Sequence, residues 1–129
     1  MKITKEYKGI TRKENGDYYI SGSIETDEDI EIELDARLEV EGSIMSERSI
    51  ISNTTLVARD NIKAGFGIVA EYCIEAGWGI RAGEYIDCGL RIFAGTSIYD
   101  SEEEAQKTIS CAELRNGQIA YGELVITAG

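Results

Sequence analysis

Residues 62–97 read IKAGFG, IVAEYC, IEAGWG, IRAGEY, IDCGLR and IFAGTS when broken every six positions. An isoleucine opens each hexad, at Ile62, Ile68, Ile74, Ile80, Ile86 and Ile92. Two residues later comes a small side chain: Ala64, Ala70, Ala76, Ala82, Cys88 or Ala94. The position after that is glycine in Gly65, Gly77, Gly83, Gly89 and Gly95. A helix repeats at 3.6 residues and a simple strand at 2, so neither produces an uninterrupted six. Side chains at i and i+2 of a strand point the same way, which sends the isoleucine and the small residue inward together. Glycine at i+3 then supplies a sharp corner, with positive φ as the expected reason for its choice.

Counting by sixes outward from this stretch gives Ile20, Thr26, Ile32, Leu38, Ile44, Ile50 and Leu56 on one side and Ile98 on the other. Three hexads close one triangular coil, so the sequence predicts an all-β, single-stranded parallel β-helix of 18 residues per coil. Residues 20–99 supply about four coils stacked at roughly 4.8 Å, with a core no single repeat can bury alone. An antiparallel sandwich would not need the strict period. The whole of 1–129 reads as a single domain. Residues 1–19 form an N-terminal cap in which Asn15-Gly16 turns a two-residue hairpin, and 100–129 hold a short helix and a second hairpin at Asn116-Gly117. Ser101 and Glu104 have the capping-box spacing for that helix. Either hand of coil fits the repeat.

The chain has 129 residues with no histidine and no proline, and its formal net charge is −11. The missing imidazole removes histidine-base catalysis and histidine-ligated metals. The acid excess argues against direct contact with nucleic acid or an anionic membrane, both of which need a basic surface. Cys73, Cys88 and Cys111 are odd in number and lack metal-ligand spacing, so reduced packing thiols in a cytoplasmic protein are expected. No cofactor, no metal and no nucleophile–base pair is expected, and the reading is of a protein that is not an enzyme. The GxG triplets at 65–67 and 77–79 lack the strand-then-helix context of a phosphate loop.

Two surfaces remain as candidates. Residues 25–47 hold ten acids against Arg37 alone. Within them Ile30, Ile32, Leu34, Ala36, Leu38 and Val40 alternate with Glu31, Glu33, Asp35, Arg37, Glu39 and Glu41. Acids two apart on an extended strand are roughly 6.6 Å apart, the scale of phosphate spacing in a nucleic acid. Glu31, Glu33, Asp35, Glu39 and Glu41 are therefore the candidate partner-binding residues. A solvated surface that blocks aggregation accounts for the same acids. Phe66, Tyr72, Trp78 and Phe93 fall at outward or corner positions and mark a candidate self-association surface, with a homodimer expected.

The hexad spacing resembles that of the left-handed hexapeptide-repeat proteins, many of them acyltransferases. Their small residue stands two before the aliphatic one, and here it stands two after. The stretch LEVEGSIMSERSI at 38–50, with the steps that follow, looks more like the bactofilins, right-handed triangular β-helices that polymerise into bacterial scaffolds. The runs of I-x-A-G-x-G also look like those of small bacterial and prophage proteins. Two expectations follow from the acidic ladder and these resemblances together. One is an acidic binding protein that engages a basic, nucleic-acid-binding effector as a nucleic-acid mimic, in the manner of an anti-CRISPR inhibitor. The other is a self-assembling scaffold. A small carbohydrate- or acyl-handling enzyme is a third, carried only by the fold.

Overall fold

The computed structural model describes residues 1–96 and 107–127, and among these it is a parallel β-solenoid without a helix. The cap contributes β1 (Lys2–Ile3) and β2 (Ile10–Arg12). The first coil is β3 (Tyr18–Ile20), β4 (Ile24–Thr26) and β5 (Ile30–Ile32), and the second is β6 (Leu38–Val40), β7 (Ile44–Ser46) and β8 (Ile50–Ser52). Next come β9 (Leu56–Ala58), β10 (Ile62–Ala64), β11 (Gly67–Ala70), β12 (Ile74–Ala76) and β13 (Ile80–Ala82). The strand β14 (Tyr85–Ala94) rounds a corner and belongs to two coils; β15 (Thr108–Cys111), β16 (Glu113–Tyr121) and β17 (Glu123–Ile126) follow. The three faces open with β3, β4 and β5. The second face alone stacks β4, β7, β10, β13, β15 and β17. Six rungs at about 4.8 Å make a stack roughly 24 Å high.

The core is the repeat itself. Ile62, Ile68, Ile74, Ile80, Ile86 and Ile92 are buried, as are Ala64, Ala70, Ala76, Ala82, Cys88 and Ala94 beside them. Ile44, Ile62 and Ile80 stack in register on the second face, and Ile50, Ile68 and Ile86 on the third. Isoleucine suits such a seam because its branched side chain packs well against its neighbour on a pleated surface.

Four expectations are corrected. The count by sixes fails at the N-terminal coil, where Ile20, Thr26 and Ile32 pair with Val40, Ser46 and Ser52 and so occupy the small-residue position. The residues that open those hexads are Tyr18, Ile24 and Ile30. The cause is a longer corner between β5 and β6, Glu33 to Arg37, which Leu34 plugs. The corner glycines Gly65, Gly83 and Gly89 do not have positive φ. They are glycine because a Cβ would strike the carbonyl oxygen of the coil below, that of Glu47, Gly65 or Glu71 respectively.

The Asn15-Gly16 segment does turn an antiparallel hairpin between β2 and β3. Its loop has three residues rather than two: the Gly16 amide donates to the Lys13 carbonyl at 2.9 Å, with Gly16 at φ +94°. The C-terminal segment is no hairpin, because β16 pairs parallel to β14 and β17 parallel to β15. Asn116-Gly117 is a corner of a further coil, with Gly117 at φ +124°. The helix expected at Ser101–Glu104, together with Ile98, lies outside the described residues. No helix long and apolar enough to cross a membrane occurs among the described residues.

Corners with and without glycine use a second device. The residue before a hexad's first position accepts a hydrogen bond from the backbone one coil higher. Asp29 accepts from Ser49 N (3.0 Å), Ser43 Oγ from Asn61 N (3.1 Å), and Asn61 Oδ1 from Gly79 N (3.0 Å). These bonds satisfy amides that the coil turn would otherwise leave without a partner.

Candidate functional site

The acidic ladder does not stay on one face. Glu31 points outward from β5 on the third face, and Glu33 and Asp35 line the long corner. Glu39 lies on β6 of the first face, and Glu41 follows it. A shallow groove of about 430 Å³ runs over this corner, lined in part by Thr4, Lys5, Tyr18, Glu33 and Asp35.

The N-terminal cap supplies cations to most of the ladder. Lys2 lies 3.4 Å from Glu33, Arg12 3.6 Å from Asp35, and Lys13 2.6 Å from Glu39, which also meets Arg59 at 3.4 Å. Tyr18 donates its hydroxyl to Asp35 at 2.6 Å, and Tyr19 donates to Glu41 at 2.5 Å. Tyr19 also lies under the Lys13 and Arg59 cations, 5.7 and 5.8 Å from its ring centre. The Tyr18 hydroxyl, followed by the Arg12 charge, holds the Asp35 carboxyl below its ordinary value. Glu39 is held low chiefly by its hydrogen bond to Lys13, with Arg59 adding to it. The two tyrosines move the opposite way, because donating to a carboxylate favours the protonated phenol.

Sequence reading picked out Glu31 but not three acids that share its edge, Glu25, Asp27 and Glu47. Glu25 points out from β4, Asp27 and Glu47 lie at the corner between the second and third faces, and Glu31 lies just beyond it. All four are exposed, and none carries an ion pair or side-chain hydrogen bond among the described residues. They border a single edge of the first two coils. No local signal separates them from the ladder: Lys2 stands in register with Glu31 yet pairs with Glu33, which only the folded cap reveals.

The four apolar candidates do not form one patch. Phe66 and Tyr72 are exposed, Trp78 and Phe93 half-buried. Phe66 sits at the corner between the second and third faces, Tyr72 at the corner between the third and first, and Trp78 at the corner between the first and second. Phe93 lies on the first face in register with Tyr121. Cys88 and Cys111 are buried in the core and Cys73 is half-buried, all as free thiols. Among the described residues no three Cys, Asp or Glu side chains converge where a metal ion could sit. No family model, no curated protein and no solved structure matches the chain.

Proposed function

We propose that the protein is a non-catalytic binding module whose acidic N-terminal coils dock on a basic partner protein. A partner that itself binds nucleic acid fits best, since the acids would occupy its basic groove and inhibit it. The observation that carries this reading is the edge formed by Glu25, Asp27, Glu31 and Glu47, four exposed acids that make no ion pair among the described residues. The ladder supports them from the side, although Glu33, Asp35 and Glu39 are partly neutralised by Lys2, Arg12 and Lys13. A rigid platform fixes charge positions without ordering cost on binding. Such an interface gains mainly in encounter rate and selectivity, and is strongly salt-dependent.

The test is affinity capture from a lysate of the native host, comparing the wild-type chain with Glu25→Lys, Asp27→Lys, Glu31→Lys and Glu47→Lys combined. The captured protein is expected to be basic, to be released by about 0.5 M salt, to be displaced by duplex DNA, and to be lost with the variant. Glu39→Lys is a poor probe, because it breaks the Lys13 and Arg59 contacts that hold the cap. Capture that survives both the four reversals and high salt refutes the reading. Self-assembly is a second reading, favoured by the C-terminal rung described next, on which no further strand stacks among the described residues.

A further inference from the structure

We propose that the protein forms a closed two-fold dimer in which the C-terminal rung of one copy stacks on that of the other. This goes beyond the partner reading and does not depend on it. The two ends of the solenoid are built differently. At the N-terminal end β1 and the hairpin lie against the first coil, Ile3 is fully buried, and Tyr7 and Ile10 pack on the core. Ile24 and Ile30 of that coil are 3% and 0% exposed.

At the other end, Leu124 stands in register with Ile109, and Ile126 with Cys111. Ile109 and Cys111 are both 0% exposed, whereas Leu124 is half-buried and Ile126 is 54% exposed. Leu114 and Ile119 on the other two faces are also only half-buried. These are interior positions of the stack with no coil above them among the described residues.

The backbone is open there as well. Among the described residues no strand pairs with the outer edges of β16 or β17. The Thr127 amide donates down to the Cys111 carbonyl at 2.8 Å, so strand alternation turns the Leu124 and Ile126 amides outward. An edge with unpaired donors and acceptors beside an apolar layer is a template for another strand.

A second copy is the occupant that the geometry and charge favour. An in-plane two-fold axis through the middle of β17 and the opposite corner at Asn116-Gly117 lays β17 antiparallel to its own copy. It also exchanges the two halves of β16, so all three edges are paired at once. The described part of this end carries Lys107, Glu113, Arg115 and Glu123, which balance. The acids of residues 25–47 would lie at the far poles, several rungs from the contact and beyond the ~8 Å screening length at physiological salt. Once the ends meet, the N-terminal ends leave the outer edge of β4 open but without an exposed apolar layer beside it, since Ile24 is 3% exposed, so growth stops at two.

The experiment is size-exclusion chromatography with light scattering on the 129-residue chain under reducing conditions. The expected mass is twice the 14.2 kDa of one chain, unchanged as concentration rises. Ile126→Lys is expected to give a monomer with an unaltered circular dichroism spectrum, while Phe66→Glu stays dimeric. Amide exchange on the wild type gives a readout that needs no variant: Leu124 and Ile126 amides should be protected in the dimer and exposed on dilution. A monomeric wild type, a mass that grows with concentration, a folded Ile126→Lys that remains dimeric, or unprotected Leu124 and Ile126 amides in the dimer would overturn the proposal. The four acid-to-lysine reversals at the N-terminal edge should leave the mass unchanged, which separates this proposal from the partner reading.

Discussion

Replacing Gly83 by alanine tests why this repeat needs glycine at its corners. Gly83 has an ordinary φ, so alanine is not excluded by backbone conformation. Its Cβ would instead strike the Gly65 carbonyl oxygen and lie 3.0 Å from the Gly65 carbonyl carbon. Both are backbone atoms of the coil below, held in place by the stack, so neither can swing aside. Overpacking of this kind costs about 1–3 kcal/mol. The shift also strains the bond from the Gly83 amide to the Ala64 carbonyl, 3.1 Å long, whose loss adds about 1 kcal/mol. The expected destabilisation is therefore about 2–4 kcal/mol, or a Tm lowered by roughly 6–20 °C for a domain of this size. Gly16→Ala is the control, since its Cβ meets nothing within 4 Å and only the positive φ of +94° opposes it. That costs about 1–2 kcal/mol, and Gly16→Asn, which tolerates left-handed backbone, costs less. Urea and thermal unfolding followed by far-UV circular dichroism read all three. Should Gly83→Ala stay within about 0.5 kcal/mol of wild type, close approach between coils is not what selects glycine here.

Two further outcomes are expected. Asp35 and Glu39 titrate below their ordinary range in the folded protein, so their stabilisation is present above the unfolded value and lost as pH falls through the folded one. Tm should therefore drop on acidification below about pH 5, and Glu39→Gln should flatten that slope; parallel slopes count against the Lys13 and Arg59 contacts. Burial pushes the Cys88 and Cys111 thiols up. A disulfide reagent should consume Cys73 first and reach the other two only on unfolding, as peptide mapping of the labelled thiols would reveal.

The coil was legible because isoleucine at i and alanine at i+2 both face inward, a pattern that needs no long-range knowledge. The register of the first coil was not. Ile20 and Ile32 are apolar at the small-residue position, so a count by sixes runs unbroken through the two-residue insertion at the β5–β6 corner. The last coils were missed for a related reason. Ile109, Leu114, Ile119 and Leu124 recur every five residues, not six, and Leu124 pairs with Ile109 only 15 positions back. A search for a second period would have found them. An Asn-Gly pair gave the same local signal in both termini, since a left-handed glycine serves a hairpin and a coil corner alike. Which it serves depends on the strand across from it, and that is non-local.

The acidic site was legible in composition and illegible in arrangement for the same non-local reason. Glu33, Asp35 and Glu39 meet their cations across 23 to 31 positions of sequence, through Lys2, Arg12 and Lys13 on a cap whose position follows from Ile3, Tyr7 and Ile10 packing on the core. Covering the apolar end of the stack therefore also decides which acids are neutralised. The hairpin and β1 approach the first and third faces, and the ladder on those faces is where the ion pairs form. At the edge between the second and third faces the Met1 ammonium meets Glu28, and Lys2, in register with Glu31, pairs with Glu33 instead, so Glu25, Asp27, Glu31 and Glu47 make no ion pair among the described residues. Cap stability and partner binding are thus predicted to separate by residue. Substitutions at Lys13 or Glu39 should lower stability first, whereas substitutions at Glu25, Asp27 or Glu47 should alter binding and leave the unfolding midpoint within about 0.5 kcal/mol of wild type.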